Sequence, residues 1–535
     1  MDARQGLAKS PGIKPKKERS IHLPAQQGSF DNESHGDASN LNHFYVKEGR
    51  LRTLREYFVS TNWLHLLLLG KALRYKAMKR EQIEIKVNGF RSIASADIRI
   101  DGITVVTGVN GSGKSTLSKL LYHTFRISNE FDSLVKDQLQ SSLYKSLKAL
   151  EEIVDELRSL SKLYKRDVEI GSLDFMDDET QTIDEQKVIM LQFLEALAKL
   201  ADELLAQPIE HRDYGKRVNR LIKIIDEINN TNAVKKHNSL SEDGELQINL
   251  ADFIKSIELL YDRAIKKRDN RELDIFTHEL QRIFSEEKVS PFVKIYEYGV
   301  LINDESKRKL LDTQSVHEVV YIDTPYMLDF FGKQSLMFVF RQGIRRSFPS
   351  LWIDLIRKLI LSRGTTPTPK TIDFIATLEG EAYYSKDPLN RGFRFKRKDK
   401  QEFDLIECAT GIKSLSILQL LYTNGYLDNK TLLIIDEPEA HMHPQWIVEY
   451  ARIIVLLNKT LGVKFFIASH NPDFVSAIRY ISESEGVIDD LSFYLAERKA
   501  DTYDYSFTCL GNEISEIFKS FNIALDRIEL YGTKC

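Results

Sequence analysis

Two short stretches combine residue types suited to phosphate and metal chemistry. Residues 108–115 read GVNGSGKS, and residues 432–446 read LLIIDEPEAHMHPQW. Glycines let a backbone wrap closely around phosphates, while hydroxyl and carboxylate oxygens are the ligands that Mg²⁺ prefers. The stretch 432–446 therefore allows two interpretations. It is either the end of a buried strand that handles a nucleotide, or a metal site of carboxylates and imidazoles.

The first stretch fits the pattern GxxxxGK[ST] in the context that a phosphate-binding loop requires. It follows the apolar run ITVVT and precedes the helical TLSKLLYHTF, so a strand leads into the loop and a helix leaves it. Lys114 would reach the β- and γ-phosphates, and Ser115 would be a ligand of Mg²⁺. The alternative is a glycine-rich turn without a ligand. The predicted nucleotide-binding residues are Asn110, Gly111, Ser112, Gly113, Lys114, Ser115 and Thr116.

The second stretch predicts a buried, parallel-type strand over residues 431–435. Asp436 then lies at its C-terminal edge, where open α/β sheets bind ligands, and would hold Mg²⁺ directly or through water. Glu437 would orient and deprotonate the attacking water. A metal site at His441 and His443 needs further ligands, and the sequence offers none at suitable spacing. We expect these histidines to shape the turn after the strand and to face a second subunit.

The segment DEPEAHMHP resembles the Walker B region of ABC-type ATPases, in the subgroup of the SMC, RecF and OLD-type proteins. The resemblance implies a signature at ATGIKSLS, with Thr410 and Gly411 in place of the usual Ser-Gly. It also implies that His470, in FFIASHNPDF, senses the γ-phosphate as the switch histidine. ATP and Mg²⁺ would then be shared across a homodimer, because in this family the signature of one subunit caps the nucleotide of another.

One element of the resembled pattern departs from it. The place of the glutamine loop corresponds to VVYIDTPY, which offers Asp323 instead of glutamine. Either Asp323 helps to hold the metal ion, or the true glutamine lies elsewhere.

The elements that must position these residues predict an α/β fold. We expect an ABC-type P-loop ATPase head, a mixed β-sheet flanked by helices, with an inserted α-helical domain. Leu143, Leu147, Leu150, Val154 and Leu157 recur at alternating spacings of four and three, which is a heptad pattern. The predicted parts are a disordered polar tail (1–45), a basic helical extension (46–80), an N-terminal lobe (81–126), the helical insertion (127–288) and a C-terminal lobe (289–535).

The basic extension allows two interpretations, a solvated helical face or a docking element for nucleic acid or a partner protein. Bulk composition does not decide between them, since the chain of 535 residues has a formal net charge of only -3. The three cysteines form no CxxC motif, which favours a reducing compartment. The longest apolar run is too short to span a bilayer, and no secretory signal is evident. We therefore expect a cytoplasmic protein without a membrane partner.

The function predicted from the resemblance is ATP hydrolysis, and we expect no nuclease activity in this chain. Among the resembled proteins, the ATPase subunits of Septu-type antiphage systems, called PtuA, are the most similar. They imply a separate HNH nuclease as partner and, in retron-associated systems, a reverse transcriptase with its RNA–DNA hybrid, msDNA. One alternative is a RecF- or SMC-like DNA repair or recombination ATPase that acts directly on DNA. Another is purely structural nucleotide binding, against which the intact Lys114, Asp436 and Glu437 argue.

Overall fold

The computed structural model describes residues 83–166, 173, 176, 180–206, 209–231, 250–285, 289–330, 349–364, 372–387 and 390–519. The predicted polar tail and the basic helical extension lie outside these residues. The strands of the described part are β1 (Ile83–Phe90), β2 (Ile93–Ile100), β3 (Ile103–Thr107), β4 (Val293–Glu297), β5 (Val300–Leu301), β6 (Asn303–Asp304), β7 (Lys309–Leu310), β8 (Glu318–Ile322), β9 (Gly380–Ser385), β10 (Gly392–Arg397), β11 (Glu402–Asp404), β12 (Thr431–Asp436), β13 (Lys464–Ser469), β14 (Leu491–Arg498) and β15 (Tyr505–Gly511).

The helices of the described part alternate with these strands or follow one another between them. They are α1 (Lys114–Asn129), α2 (Phe131–Leu163), α3 (Ile183–Leu205), α4 (Tyr214–Thr231), α5 (Ala251–Asn270), α6 (Leu273–Phe284), α7 (Met327–Phe330), α8 (Ser350–Ile360), α9 (Phe374–Leu378), α10 (Thr410–Thr423), α11 (Pro444–Leu461) and α12 (Pro472–Ser484). None of these described helices is both long and apolar enough to cross a membrane.

The main sheet has ten strands in the order β5-β4-β1-β2-β15-β14-β3-β13-β12-β8. Strands β14, β3, β13, β12 and β8 are mutually parallel neighbours, whereas β1 pairs antiparallel with both β2 and β4. The sheet is therefore mixed. The predicted α/β class, a mixed sheet flanked by helices, is confirmed.

The central strand β12 shows why the parallel part of the sheet is stable. Leu432 and Ile434 pack into the apolar core on one face of the sheet, and Leu433 and Ile435 pack into the core on the other. All four side chains are fully buried, and each contributes roughly 1.5–3 kcal/mol. A strand with helices on both faces reads as one continuous apolar run, which is why the sequence reveals it.

The helices between β3 and β4 form a bundle beside the sheet. Helix α2 packs against α3, α4 and α5, and four of the five heptad positions on α2 are buried, while Leu147 is partly buried. Helix α3 begins with a capping box, in which Thr182 and Glu185 each satisfy a backbone N–H of the other, as the first turn of a helix requires. The heptad seam therefore serves packing within this bundle. Helix α1 continues to Asn129, past the predicted boundary at residue 126.

Two central strands were not predicted from the sequence. Strands β14 and β15 come last along the chain, yet they lie between β2 and β3 in the sheet. Strand β14 runs parallel to β3, and β15 returns antiparallel beside β14 before meeting β2. Strands β9, β10 and β11 form a separate antiparallel sheet. This small sheet precedes α10 along the chain and packs against it through β9.

Candidate nucleotide-binding site

Four parallel strands end at the same edge of the sheet. In the order β3, β13, β12 and β8, they are adjacent to one another, so their carboxyl ends lie side by side. The loop 108–115 leaves β3, Asp436 ends β12, Ser469 ends β13, and Asp323 follows β8. This edge is where open α/β sheets bind ligands.

The loop after β3 requires glycine at both of its ends. Gly108 and Gly113 have φ angles of 148° and 98°, which L-amino-acid side chains rarely adopt. A Cβ on Gly108 would lie 2.7 Å from the Ala496 Cβ, and a Cβ on Gly113 would lie 2.6 Å from Ile93 Cγ1. The loop is thus pressed against β14 and β2, and it leads directly into the N-terminus of α1. Backbone amides at such a helix start favour phosphate.

Lys114 lies inside this loop. Its Nζ donates to the carbonyl oxygens of Gly108 at 2.7 Å and Val109 at 3.0 Å. Burial lowers the pKa of Lys114, and the nearby charges of Glu437, Asp436 and Glu439 act in the opposite direction. Two backbone oxygens therefore hold the ammonium group at the strand edge, near the carboxylates.

The remaining predicted loop residues differ in exposure. Ser112 is fully buried, and its hydroxyl has no hydrogen-bond partner among the described residues. Asn110, Gly111 and Ser115 are exposed, and Thr116 is half-buried. Ser112 therefore belongs to the packed floor of the loop, while the exposed residues face outward at the helix start.

The two carboxylate oxygens of Asp436 have different hydrogen-bonding environments. Its Oδ2 accepts a hydrogen bond from the Tyr321 hydroxyl at 3.1 Å, whereas Oδ1 is buried and has no hydrogen-bond partner among the described residues. Burial raises the pKa of this carboxyl, and the hydroxyls of Ser115 and Tyr321 lower it. A buried acceptor without a partner is costly. The hard oxygens of Ser115 and Asp436, with Oδ1 free, fit a Mg²⁺ ion.

Glu437 has a conformation that turns its side chain outward. Its φ is 52°, in the left-handed region that non-glycine residues seldom occupy. The backbone N–H donates to the Ala468 carbonyl at 2.8 Å, which fixes the residue between β12 and β13. The side chain is 42% exposed, so its carboxylate can contact water while Asp436 beside it is buried.

His470 lies next to Glu437. Its Nδ1 is 3.5 Å from Glu437 Oε1 and also 3.5 Å from Glu439 Oε1. The structure therefore brings two predicted residues, one from each of two neighbouring strand ends, into contact. It adds Glu439 and Tyr321, which sequence reasoning missed. Their signals were a second carboxylate after the strand and a tyrosine just before Asp323.

Asp323 lies at the end of β8 and is committed to a tryptophan. Both carboxylate oxygens are 2.9 Å from Trp352 Nε1, and the Trp352 ring stacks on Phe330. Burial raises the pKa of Asp323, and the Trp352 hydrogen bond lowers it. Asp323 thus borders the same edge as Asp436, and its role in holding a metal stays a prediction.

The protein family described as "AAA domain, putative AbiEii toxin, Type IV TA system" matches residues 103–476. This match covers well over half of the 535 residues and runs from β3 to α12. The chain belongs to this family of AAA domains. A comparison with curated proteins gives no match.

Solved structures of SMC heads also resemble this AAA domain. The SMC head domain from Thermotoga maritima has 11% identity and a TM-score of 0.29, covering 80% of this chain and 99% of that one. A Smc head domain with a coiled coil and joint from Pyrococcus yayanosii has 13% identity and a TM-score of 0.29, covering 83% and 99%. One from Pyrococcus furiosus, bound to the C-terminal domain of ScpA, has 13% identity and a TM-score of 0.26, covering 83% and 98%.

The predicted signature of the AAA domain lies at a helix start. Thr410 is the first residue of α10, and Gly411 packs so tightly that a Cβ there would lie 2.8 Å from Trp446 Cγ. Lys413 is buried, and its Nζ donates to Asp329 Oδ1 at 2.7 Å. In the part of the chain that the structure describes, no hydrogen bond joins Thr410 or Gly411 to the loop 108–115 or to Asp436. The start of this helix is therefore fixed by packing on Trp446 and by the ion pair of Lys413 with Asp329.

The two histidines after Glu439 have structural contacts. His443 is the N-cap of α11, where its Nδ1 accepts from the Gln445 N–H at 3.4 Å, and Pro444 opens the helix. His441 packs edge-on against the Tyr326 ring, with centroids 5.3 Å apart. Among the described residues, no group of three or more His, Cys, Asp or Glu is placed to hold a metal ion. These contacts agree with the expectation that both residues shape the turn.

Proposed function

We propose that this chain binds ATP with Mg²⁺ at the strand edge and hydrolyses it. The observation that carries the proposal is the convergence of Lys114, Ser115, Asp436 and Glu437, where the buried Asp436 Oδ1 has no hydrogen-bond partner in the described part of the chain. A nucleotide site needs a cation for the phosphates, oxygens for the metal ion and an exposed base for water. These four residues supply all three.

The proposed chemistry follows from the contacts of each side chain. The amides of the loop 108–115 and the α1 N-terminus bind the phosphates, and Lys114 exchanges its two carbonyl partners for phosphate oxygens. Ser115 and Asp436 would hold Mg²⁺, which neutralises charge developing on the phosphates. Glu437, the exposed carboxylate, orients the attacking water and accepts its proton. His470, in contact with Glu437, senses the γ-phosphate.

We infer that the complete site forms between two copies of the chain. Among the described residues no hydrogen bond joins Thr410 or Gly411 to the strand-edge cluster, and Thr410 stands at a helix N-terminus, which favours phosphate. In the resembled ABC-type proteins, the signature of one subunit caps the nucleotide of another. A homodimer built around ATP would place Thr410 and Gly411 of each copy at the other copy's phosphates.

We propose further that the ATPase works in a bacterial antiphage complex of Septu or retron type. The support is the overall resemblance of a nuclease-free ATPase head with a moderate helical insertion to the ATPase subunits of those systems, and no single motif carries it. In this role the chain would control a separate HNH nuclease. Association with a reverse transcriptase and msDNA would use the basic segment 46–80.

Phosphate release by the purified full-length chain tests the first step. We expect turnover that requires Mg²⁺ and that falls in Glu437→Gln and, through weaker ATP binding, in Lys114→Ala. Wild-type protein that binds no nucleotide would contradict the proposal.

The native mass of Glu437→Gln, purified from its own host in ATP, tests the complex. An assembly that contains a nuclease, with or without a reverse transcriptase and nucleic acid, is the expected result. A bare homodimer whose turnover is stimulated by DNA would contradict it and favour the RecF- or SMC-like repair ATPase.

A further inference from the structure

Glu439 is a buried carboxylate between the two central strand ends of the site. Only 6% of the residue is exposed, although the side chain of Glu437, its neighbour in the same turn, is 42% exposed. The two glutamates thus have opposite environments. Glu437 can meet water, and Glu439 can act only through the protein groups around it.

The side chain of Glu439 reaches across to the end of β13. Its Oε1 accepts from the Ser469 hydroxyl at 2.9 Å and from the His470 backbone N–H at 2.9 Å. The same oxygen lies 3.5 Å from His470 Nδ1. Within its own turn, the carbonyl of Glu439 accepts from the Met442 N–H at 3.1 Å. Glu439 therefore ties the turn after β12 to the first residues after β13.

The buried carboxylate of Glu439 is not the side chain that would stabilise the fold most at this position. The second oxygen, Oε2, is buried without a hydrogen-bond partner among the described residues, and burial raises the pKa of the carboxyl. An unsatisfied buried acceptor destabilises a fold, whereas a well-packed apolar side chain at the same place would not. Proteins most often retain such a destabilising buried polar group at a functional site.

We propose that Glu439 is a positioning residue that fixes His470 against Glu437. The backbone N–H and the imidazole of His470 both face Glu439 Oε1, and the imidazole is equally distant from the Glu437 carboxylate. Glu439 thereby sets where the imidazole stands relative to the base that orients water. This inference rests on the proposed ATP hydrolysis and adds a residue to the same site.

Two substitutions of similar length separate positioning from mere folding. Glu439→Gln keeps a carbonyl oxygen that can accept from Ser469 and His470, whereas Glu439→Met keeps the bulk and removes the acceptor. Steady-state turnover, nucleotide affinity and thermal unfolding are measured on full-length protein. A matched control is Glu449→Met, since Glu449 lies on α11 and pairs only with Arg452 at 2.8 Å among its described contacts.

We expect Glu439→Met to lower kcat by about tenfold, the loss of one or two hydrogen bonds to the positioned group. Both Glu439→Met and Glu439→Gln remove the charge that acts on Lys114, so any change in nucleotide affinity is the same in the two variants. Glu439→Gln restores most of the turnover, and Glu449→Met behaves as wild type. In a His470→Ala background, Glu439→Met adds nothing further, since both changes remove the same contact.

Turnover at the wild-type rate in Glu439→Met would overturn this inference and leave the proposed function standing. Losses of kcat that multiply in the double variant of Glu439→Met and His470→Ala would do the same. A wild-type protein without turnover would overturn both this inference and the proposed function. If Glu439→Met fails to fold, Ser469→Ala is the deciding variant. It removes a single hydroxyl, which is one of the two hydrogen-bond donors to Glu439 Oε1. A several-fold fall in kcat with unchanged affinity supports the inference, and unchanged kcat overturns it.

Discussion

The strand edge and the start of α10 both carry predicted nucleotide contacts, but they are built differently. At the strand edge, polar groups from β8, β12 and β13 touch one another, as in the contacts of Tyr321 with Asp436 and of Glu439 with His470. At the start of α10, Gly411 packs on Trp446 and the cation of Lys413 is neutralised by Asp329. The difference teaches that one region is assembled within the chain, while the other presents a helix N-terminus outward.

Substitutions in either region test this difference, and substitutions at the strand edge should have the larger effects. There they should alter turnover and nucleotide affinity of each copy. At the start of α10 they should alter only the association of copies in ATP.

The largest expected effect is on turnover in Glu437→Gln. Removing the base lowers kcat by roughly 10²–10⁴-fold, while ATP binding is retained because Lys114 and the loop are intact. Phosphate release measures the first quantity, and nucleotide titration the second. Glu483→Gln is the matched control, since Glu483 is exposed on α12 and pairs with Arg479 at 2.9 Å. Turnover at the normal rate in Glu437→Gln would remove the assigned base.

Lys114→Ala comes next, with an effect on binding. Two charge-assisted hydrogen bonds to phosphate are worth about 3 kcal/mol or more together, so affinity should fall by at least ~100-fold. Titration with ATP in the presence of Mg²⁺ measures the change. Lys145→Ala, at an exposed position on α2, should bind as wild type. Equal affinity in both variants would show that the phosphates lie elsewhere.

Thr410→Ala tests the other region. The copy-to-copy contact loses one hydroxyl to phosphate, so ATP-dependent dimerisation should weaken by about tenfold. The affinity of a single copy for ATP should not change. Native mass of the variant in a Glu437→Gln background, over a range of protein concentrations, gives the first quantity. Thr423→Ala, at the opposite end of α10, is the control, because within the described chain the Thr423 hydroxyl donates to the Gln419 carbonyl at 2.8 Å, in its own helix.

Dimerisation that is unaffected by Thr410→Ala would contradict the proposed contact between the start of α10 and the nucleotide of another copy. Weaker binding by a single copy would contradict it too, because the start of α10 would then contact the nucleotide within the chain.

Tyr321→Phe should have the smallest effect. It removes only the hydroxyl that donates to Asp436 Oδ2 at 3.1 Å, which leaves the carboxylate less well oriented. We expect the Mg²⁺ concentration for half-maximal ATP binding to rise about 2- to 10-fold. Tyr261→Phe is the matched control, since that buried hydroxyl lies 3.3 Å from Met176 Sδ in the helical bundle. An unchanged Mg²⁺ requirement would mean that Tyr321 only packs.

The sequence predicts the strand edge where the signals are local. The run into Asp436 and the glycine loop after β3 are contiguous, and their strands and following helix are found at the expected residues. The place of β14 and β15 in the sheet was not predictable in this way, because it depends on pairing between segments almost 400 residues apart. Local patterns contain no information on such crossovers.

The same reason explains the missed side chains. Glu439 is significant only because β13 lies next to β12, which brings Ser469 and His470 to it from 30 and 31 residues away. Tyr321 matters because β8 borders β12 on the other side. Asp323 has the expected position, but its partner Trp352 comes from α8. A motif indicates which residues do chemistry, and the sheet order decides which residues hold them.

The most direct measurement identifies the nucleotide that stays bound after incubation with Mg²⁺ and ATP. Wild-type chain and Glu437→Gln are incubated, separated from free nucleotide, denatured and analysed by chromatography. The account predicts ATP on Glu437→Gln and ADP, or no nucleotide, on the wild type. ADP on both would show that Glu437 is not the base, and no nucleotide on either would contradict binding at this strand edge.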